Sequence, residues 1–368
     1  MQYYDIIILG GGSAGLFASV FLPKDKKICI IDKADKLGTK LLLSGGERCN
    51  VTNNDLNPSR DYVGENIKAL PGIFHAFGNQ DMINFLASHG IETIVEDRGR
   101  VLLKSGKAKQ LRDLLVDLAT ENGVEFFLGQ NIIKVSCHPE GNEGYNGGKL
   151  DSSLHSEGQM IGGGQEYRFK IITDKEIFFA KNLVVAAGGK SYPQVGATGL
   201  GYELAEQFGV RFVAPRAALC GMETMEGKKI IYSASGPLLF THWGLSGPVV
   251  FDASLRAASF LAEHKKDVTI QLDLDLEHTS KKIFRFFPSL ERDTKLQFSL
   301  KQLRSWEEAK VTGGGVSLQA LDKYFQVKTV PGLYFIGEIL DITGRSGGFN
   351  LQRAWSSAYC CAKGMYSV

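Results

Sequence analysis

The sequence predicts an α/β fold: a discontinuous parallel-sheet domain with an inserted, mainly antiparallel β domain. Three observations lead there. Residues 5–32 read as a strand, a glycine turn, a helix and a second strand ending in an acid. This buried-strand and glycine-loop grammar stops near residue 190 and returns after residue 310. Between those points apolar and polar residues alternate, as half-exposed antiparallel strands do.

The first element is the apolar run Ile6 to Leu9, a strand buried on both faces. Gly10, Gly12 and Gly15 follow at the spacing of a dinucleotide-binding turn, so the order of elements is Rossmann-like. Gly10 permits the tight exit from the strand, and Gly12 lets a pyrophosphate approach bare backbone. Gly15 lets the helix pack on the sheet. That helix, Ser13 to Phe21, offers the N–H groups of Ser13 and Ala14 and a positive dipole end to phosphate. The second strand, Lys27 to Ile31, ends at Asp32, 22 residues after Gly10, where a carboxylate accepts both hydroxyls of a ribose.

Further along, Gly38-Thr39-Lys40 and Ser44 to Asn53 form a polar, glycine-rich loop. Lys40 and Arg100 are cations available to phosphate or substrate charge. Helical periodicity covers Asp81 to His89 and Lys109 to Asn122, and Val124 to Val135 reads as a strand. His138 to Gln165, glycine-rich with few apolar residues, reads as a hairpin tip. Leu183 to Val185 is a buried strand running into Ala187, Gly188 and Gly189. Val268 to Asp275 alternates. Gly332 to Gly337 is another buried strand, ending at Glu338, and Gly344-Arg345-Ser346-Gly347-Gly348 opens a C-terminal helix. The expected domains are residues 1–189 with 311–368, and the inserted block 190–310.

A chain of 368 residues fits two domains, and 43% hydrophobic with 22% charged residues fits an ordinary soluble protein. A net charge of +2 gives no push toward nucleic acid or an anionic membrane. The six cysteines contain no C-x-x-C and no zinc-like spacing, which argues against dithiol chemistry and a metal and fits a reducing cytoplasm. No apolar run approaches the ~18 residues of a membrane span.

The blocks at residues 5–32, 183–189, 332–338 and 344–351 resemble the FAD-containing flavoproteins related to glutathione reductase. More narrowly, Ser44 to Asn53, Gly188 to Pro193, Phe240 to Pro248, Val311 to Val316 and Gly347 to Gln352 resemble the HI0933-like flavoproteins, the aminoacetone oxidase and bile-acid reductase group. The blocks are colinear from residue 5 to about 358. Two features depart from that family. Only 62 residues separate Pro248 from Val311, where the family carries a long helical insertion over its active site, and Glu47 stands where it has glycine.

The resemblance implies FAD. Its pyrophosphate and ribose would be held by Gly10, Gly12, Ser13, Ala14, Gly15, Asp32 and Lys33. Adenine would meet the backbone at Ile133. Lys40, Ser44, Gly45, Arg48, Cys49, Asn50, Ala187 and Gly188 would follow the cofactor inward. Gly337 and Glu338 would hold the ribityl chain, and Gly347, Gly348, Asn350 and Leu351 the flavin pyrimidine edge. The implied activity is reduction of a C=C bond conjugated to a carbonyl, which needs an acid and a carbonyl donor. Cys49, made thiolate by Arg48, and the acids Tyr192 and His242 are the catalytic candidates. Against this, Cys49 serves cofactor binding alone and His242 is packed or satisfied by backbone.

The glycine-rich phosphate signature occurs once, so NAD(P)H would donate electrons transiently over the flavin, or electrons come from elsewhere. The alternatives within the resemblance are oxidation of an aminoketone or amine by oxygen, and reduction of uridine in ribosomal RNA. The partner is thus a small-molecule substrate or RNA. Non-catalytic flavin binding is the remaining reading.

Overall fold

The computed structural model describes residues 1–137, 167–225, 238–264, 268–273 and 295–366. The glycine-rich stretch His138 to Gln165 therefore lies outside the described residues. The chain divides into two compact units, Met1–Pro215 with Val311–Val368, and Arg216–Lys310.

The first unit opens with β1 (Gln2–Leu9), α1 (Ser13–Phe21), β2 (Ile28–Ile31), α2 (Thr39–Leu42), β3 (Asn50–Asn53), α3 (Pro58–Asp61) and β4 (Tyr62–Val63). Then come α4 (Leu70–Ala76), α5 (Asn79–Ser88), β5 (Thr93–Val95), β6 (Arg100–Leu103), α6 (Ala108–Glu121), β7 (Glu125–Phe127), β8 (Ile132–Cys137), β9 (Phe169–Thr173), β10 (Ile177–Val185) and α7 (Leu200–Gln207). Within β11 (Phe212–Ala218) the chain enters the second unit, which continues with β12 (Met222–Met225), β13 (Leu239–Thr241), β14 (Gly244–Ser246), α8 (Pro248–His264), β15 (Val268–Asp273) and β16 (Lys295–Leu303). It returns with β17 (Val311–Val316), β18 (Leu333–Phe335), β19 (Thr343–Gly344) and α9 (Phe349–Gly364).

The main sheet runs β7-β2-β1-β10-β9-β8. β1 pairs in parallel with β2 and β10, and β2 with β7. The long β10 meets antiparallel β9 along Ile177–Ala180 and parallel β18 along Leu183–Val185. Ile7, Ile8 and Leu9 are wholly buried, because layers cover both faces of a parallel sheet. α9 is fastened to β3 by Trp355, whose indole N–H donates to the Val51 carbonyl at 2.9 Å, and by Thr52, whose hydroxyl donates to Gln352 at 2.6 Å.

Two sequence expectations change. The strand expected over Val124–Val135 is β7 and β8, split by a turn at Gly129 in a left-handed conformation. Residues 190–215, expected in the insert, cluster with the first unit, because α7 brings Gly201 flat against Ile339 and Val185. The second unit is a sheet in the order β13-β14-β12-β16-β15, antiparallel throughout, with α8 and a small core of Met222, Leu245, Val250, Ala257 and Leu300.

Candidate functional site

The turn from β1 into α1 is forced by its glycines. Gly10 has φ +107°, and a Cβ there would lie 2.5 Å from the Ala186 carbonyl oxygen. A Cβ on Gly15 would lie 2.0 Å from the Gly10 carbonyl oxygen. Gly12 caps α1 without a side-chain cap, the first turn carries no acid, and a Cβ on it would meet nothing within 4 Å. The N–H groups of Ser13, Ala14 and Gly15, which have no partner one turn back, therefore point from a bare, positive helix end. Asp32 closes this cradle. It accepts the Gly11 N–H at 2.6 Å and the Ala34 N–H at 2.8 Å, one on each oxygen, leaving further lone pairs on both. Burial raises the Asp32 carboxyl, and the backbone N–H groups of Ala34, Gly11 and Lys33 oppose that rise.

Beside the cradle lies a charged cluster. A Cβ on Gly337 would come within 2.7 Å of the Ala14 methyl, so the end of β18 abuts the start of α1. Glu338 follows and accepts both of its bonds to Lys40 Nζ, at 2.7 and 2.9 Å. The Ser191 hydroxyl and the Thr312 N–H also donate to it, each at 2.9 Å. Ser191 and Thr312 were not picked out as site residues from sequence, although both lie in the glycine-rich blocks that flag the region. A Cβ on Gly189 would lie 2.2 Å from the Thr312 hydroxyl, which is why the chain is bare there. Burial alone would raise the Glu338 carboxyl, but the charges of Lys40 and Arg353 and hydrogen bonds from Lys40 and Thr312 hold it below the usual carboxylate range. Burial pulls the Lys40 ammonium down against the pull of Glu338. Tyr192, at φ +61°, places its ring centroid 5.5 Å from Lys40 Nζ.

The third part is the loop before β3 and the mouth of α9. Ser44 donates to the Leu41 carbonyl, and Gly45, Gly46 and Glu47 follow with φ of +58°, +65° and +69°. Cys49, wholly buried, is pushed up to about 12 by burial, so it is a thiol. Its neighbour Arg48 turns outward to an ion pair with Glu96. The reading of Cys49 as an activated thiolate is therefore corrected: the side chain belongs to the core. Asn50 accepts the Gly348 N–H at 3.1 Å and donates to the carbonyls of Thr52 and Val101. Gly348 is thus committed to Asn50, and a Cβ on it would lie 2.2 Å from the Thr52 carbonyl oxygen. The expectation that the Gly348 N–H points at a ligand is corrected too. The N–H groups that open from α9, which has no side-chain cap and no acid in its first turn, are those of Phe349, Asn350 and Leu351. The Asn350 side chain instead ties the loop shut, exchanging bonds with the Gly344 N–H and carbonyl at 2.9 and 2.6 Å. Gly347 gives its carbonyl to Asn53 at 2.9 Å.

Of the remaining candidates, Ile133 is 68% exposed and sits where the β8–β9 register shifts. Ala187 and Gly188 extend β10 toward Glu338, with the Gly188 Cβ position 4.0 Å from that carboxylate. His242 lies in the second unit, exposed in the turn between β13 and β14.

The profile of the HI0933-like protein Rossmann domain matches residues 4–364. The chain is 30% identical to the ribosomal RNA dihydrouridine synthase of Haemophilus influenzae, over 98% of both chains. It is 29% identical to the ribosomal RNA dihydrouridine synthase of Escherichia coli, over 100% of this chain and 99% of that one. A third relative, the 3-dehydro-bile acid delta(4,6)-reductase of Clostridium scindens, is 24% identical over 97% of each. The Haemophilus alignment spans 421 residues, so that relative carries segments that this chain of 368 lacks. Among solved structures, the 3-ketosteroid-delta4-(5alpha)-dehydrogenase of Rhodococcus jostii shares the fold, with TM-score 0.52, 14% identity and 98% and 97% of the two chains covered. So does the E. coli quinol fumarate reductase FrdA, with TM-score 0.55, 14% identity and 100% and 71% covered.

Proposed function

The chain belongs to the HI0933-like Rossmann family, and on that premise we propose that it is an FAD-dependent oxidoreductase that reduces a C=C bond conjugated to a carbonyl. One observation carries the cofactor reading: two glycine-capped helix mouths, α1 and α9, lie on the same unit as Asp32 and the Lys40–Glu338 cluster. One uncapped mouth suits a pyrophosphate, and the second suits the edge of a ring that gains negative charge on reduction. Asp32 would hold the adenosine ribose, the backbone at Ile133 the adenine, and Lys40 with Glu338 the polar chain between pyrophosphate and ring. Bound in its reduced form, FAD would supply a hydride.

The relatives' names support the substrate class. Both a dihydrouridine synthase and a delta(4,6)-reductase acting on a 3-dehydro bile acid denote hydrogenation of a carbon–carbon double bond. In uridine and in a 3-oxo steroid alike that bond is conjugated to a carbonyl. The two dihydrouridine synthases, related along their whole lengths, favour uridine in ribosomal RNA as the substrate.

The test is to purify the flavin-loaded protein, reduce it without oxygen and add unmodified ribosomal RNA or 3-oxo-4-ene steroids, and separately to give aminoacetone to the oxidised protein in air. Reoxidation by RNA with a gain of two hydrogens per uridine supports the proposal. Reoxidation by steroids alone would keep the reaction and replace the substrate. Peroxide formation from aminoacetone in air, with no response to either acceptor, would overturn it in favour of an oxidase.

A further inference from the structure

Arg345 is a cation at the mouth of α9 that the cofactor reading leaves without a task. It sits between β19 and α9, and the backbone on both sides is tied down. Its N–H donates to the Asp61 carbonyl at 3.0 Å, and its carbonyl accepts from Asn350 at 3.4 Å. The guanidinium has two neighbours. Nε lies 3.0 Å from Asp61 Oδ1, an ion pair in which Nε makes no hydrogen bond, and Cζ lies 5.5 Å from the ring centroid of Phe349, the first residue of α9. The Asp61 side chain is wholly buried, yet the Arg345 side chain remains 40% exposed. Asp61 accepts the Asn57 N–H at 2.7 Å and binds Arg60 through both oxygens, at 2.8 and 2.9 Å. One carboxylate charge is therefore shared by two guanidinium groups. An ordinary surface arginine has no buried acid beside it.

We propose that Arg345 receives the carbonyl oxygen of the substrate and carries the charge that this oxygen gains during reduction. The inference rests on the flavin reading above and adds a residue to it. In that reaction the β-carbon accepts a hydride, which carries two electrons. The π pair of the C=C bond shifts, the carbonyl oxygen becomes an enolate oxygen, and the α-carbon then takes a proton from solvent. A guanidinium suits the first half of this sequence and not the second. It stays protonated and offers planar donors to an oxyanion, so it stabilises the enolate without supplying the proton. The positive end of α9 adds to its field with the same sign. On this proposal the guanidinium would take the enolate charge beside the ring edge that the α9 mouth serves, with the buried Asp61 as its ion-pair partner.

The experiment uses the FAD-loaded protein and Arg345→Gln, with Arg345→Lys beside it. FAD content and the visible spectrum should match wild type in both, because Arg345 is assigned to the substrate. Reoxidation of the reduced flavin by the accepted enone or uridine substrate should slow by about 100–1000-fold in Arg345→Gln, the usual loss for one oxyanion donor. Arg345→Lys, which keeps the charge and loses the fork, should fall between. A binding measurement needs no turnover: p-nitrophenol is a planar acid whose phenolate imitates the enolate. The wild-type oxidised protein should bind it as phenolate, lowering its apparent pKa, and Arg345→Gln should abolish that shift. Equal reoxidation rates in wild type and Arg345→Gln would overturn the inference. So would a p-nitrophenol pKa that neither protein, or both equally, displaces. If no enone or uridine reoxidises wild type, the reductase reading fails, and the phenol titration still decides Arg345.

Discussion

At the residue scale, burial decides which sequence candidates are chemically available. Cys49 looked reactive because Arg48 adjoins it, but adjacency in sequence says nothing about direction. The chain turns through φ +56° at Cys49, sending the thiol into the core while Arg48 leaves toward Glu96. Cys49→Ala should therefore leave substrate reduction intact and cost only stability, about 1 kcal/mol for a small buried side chain. A rate loss of 100-fold or more would show that the thiol takes part. The Lys40–Glu338 pair makes the opposite prediction. The Glu338 carboxyl is held low in the folded protein, so its contribution is complete above the ordinary carboxylate pKa and is lost as pH falls through the lowered one. Thermal stability should drop on that acid limb, and Glu338→Gln should flatten the limb while lowering stability at neutral pH. Identical pH profiles for the two proteins would contradict this coupling.

At the scale of elements, α1 was legible to the residue because its signals are local: a glycine turn before it, apolar spacing within it and a strand on either side. The β7–β8 break was not legible, since Val124 to Val135 is apolar enough to read as one strand. Only the left-handed backbone at Gly129 and the pairing of each half with a different neighbour divide it. The 17-residue helix α8 was hidden by its setting among alternating segments, although Pro248 at its start suits a first helical turn. The Lys40–Glu338–Ser191–Thr312 cluster joins four distant segments, so Lys40 and Glu338 were visible as candidates, Ser191 and Thr312 only as parts of glycine-rich blocks, and their meeting was not. The loop before β3 carries its own prediction. Glu47 holds a conformation that costs a side-chain-bearing residue about 1–2 kcal/mol, and glycine pays only part of that back in entropy. Glu47→Gly should raise unfolding free energy by about 0.5–1 kcal/mol in denaturant titration. A loss of stability instead would mean that the Glu47 side chain contributes contacts outweighing the strain.

At the scale of the molecule, the first unit carries the mouths of α1 and α9, which on the proposed reading make different demands on a ligand. The α1 mouth with Asp32 suits a pyrophosphate joined to an adenosine ribose, whereas the α9 mouth suits the ring edge. A ligand that meets both must be long, which separates FAD from FMN: FMN has a single phosphate and no second ribose for Asp32. The purified protein should therefore be yellow and release FAD on acid treatment. Stripping it should lower the melting temperature, and adding FAD at about 100 times its dissociation constant should restore roughly 2.7 kcal/mol of stability, because the ligand binds the folded chain alone. FMN at equal concentration should restore much less. Asp32→Ala should weaken FAD binding by about 2–4 kcal/mol, the worth of two charge-assisted hydrogen bonds, which removes most of that stabilisation at the same FAD concentration, and leave the weak FMN effect where it was. That difference is the discriminating result. A general loss of fold would weaken both ligands together, whereas a ribose contact can weaken only the ligand that has the ribose. Equal losses for FAD and FMN would remove Asp32 from the site.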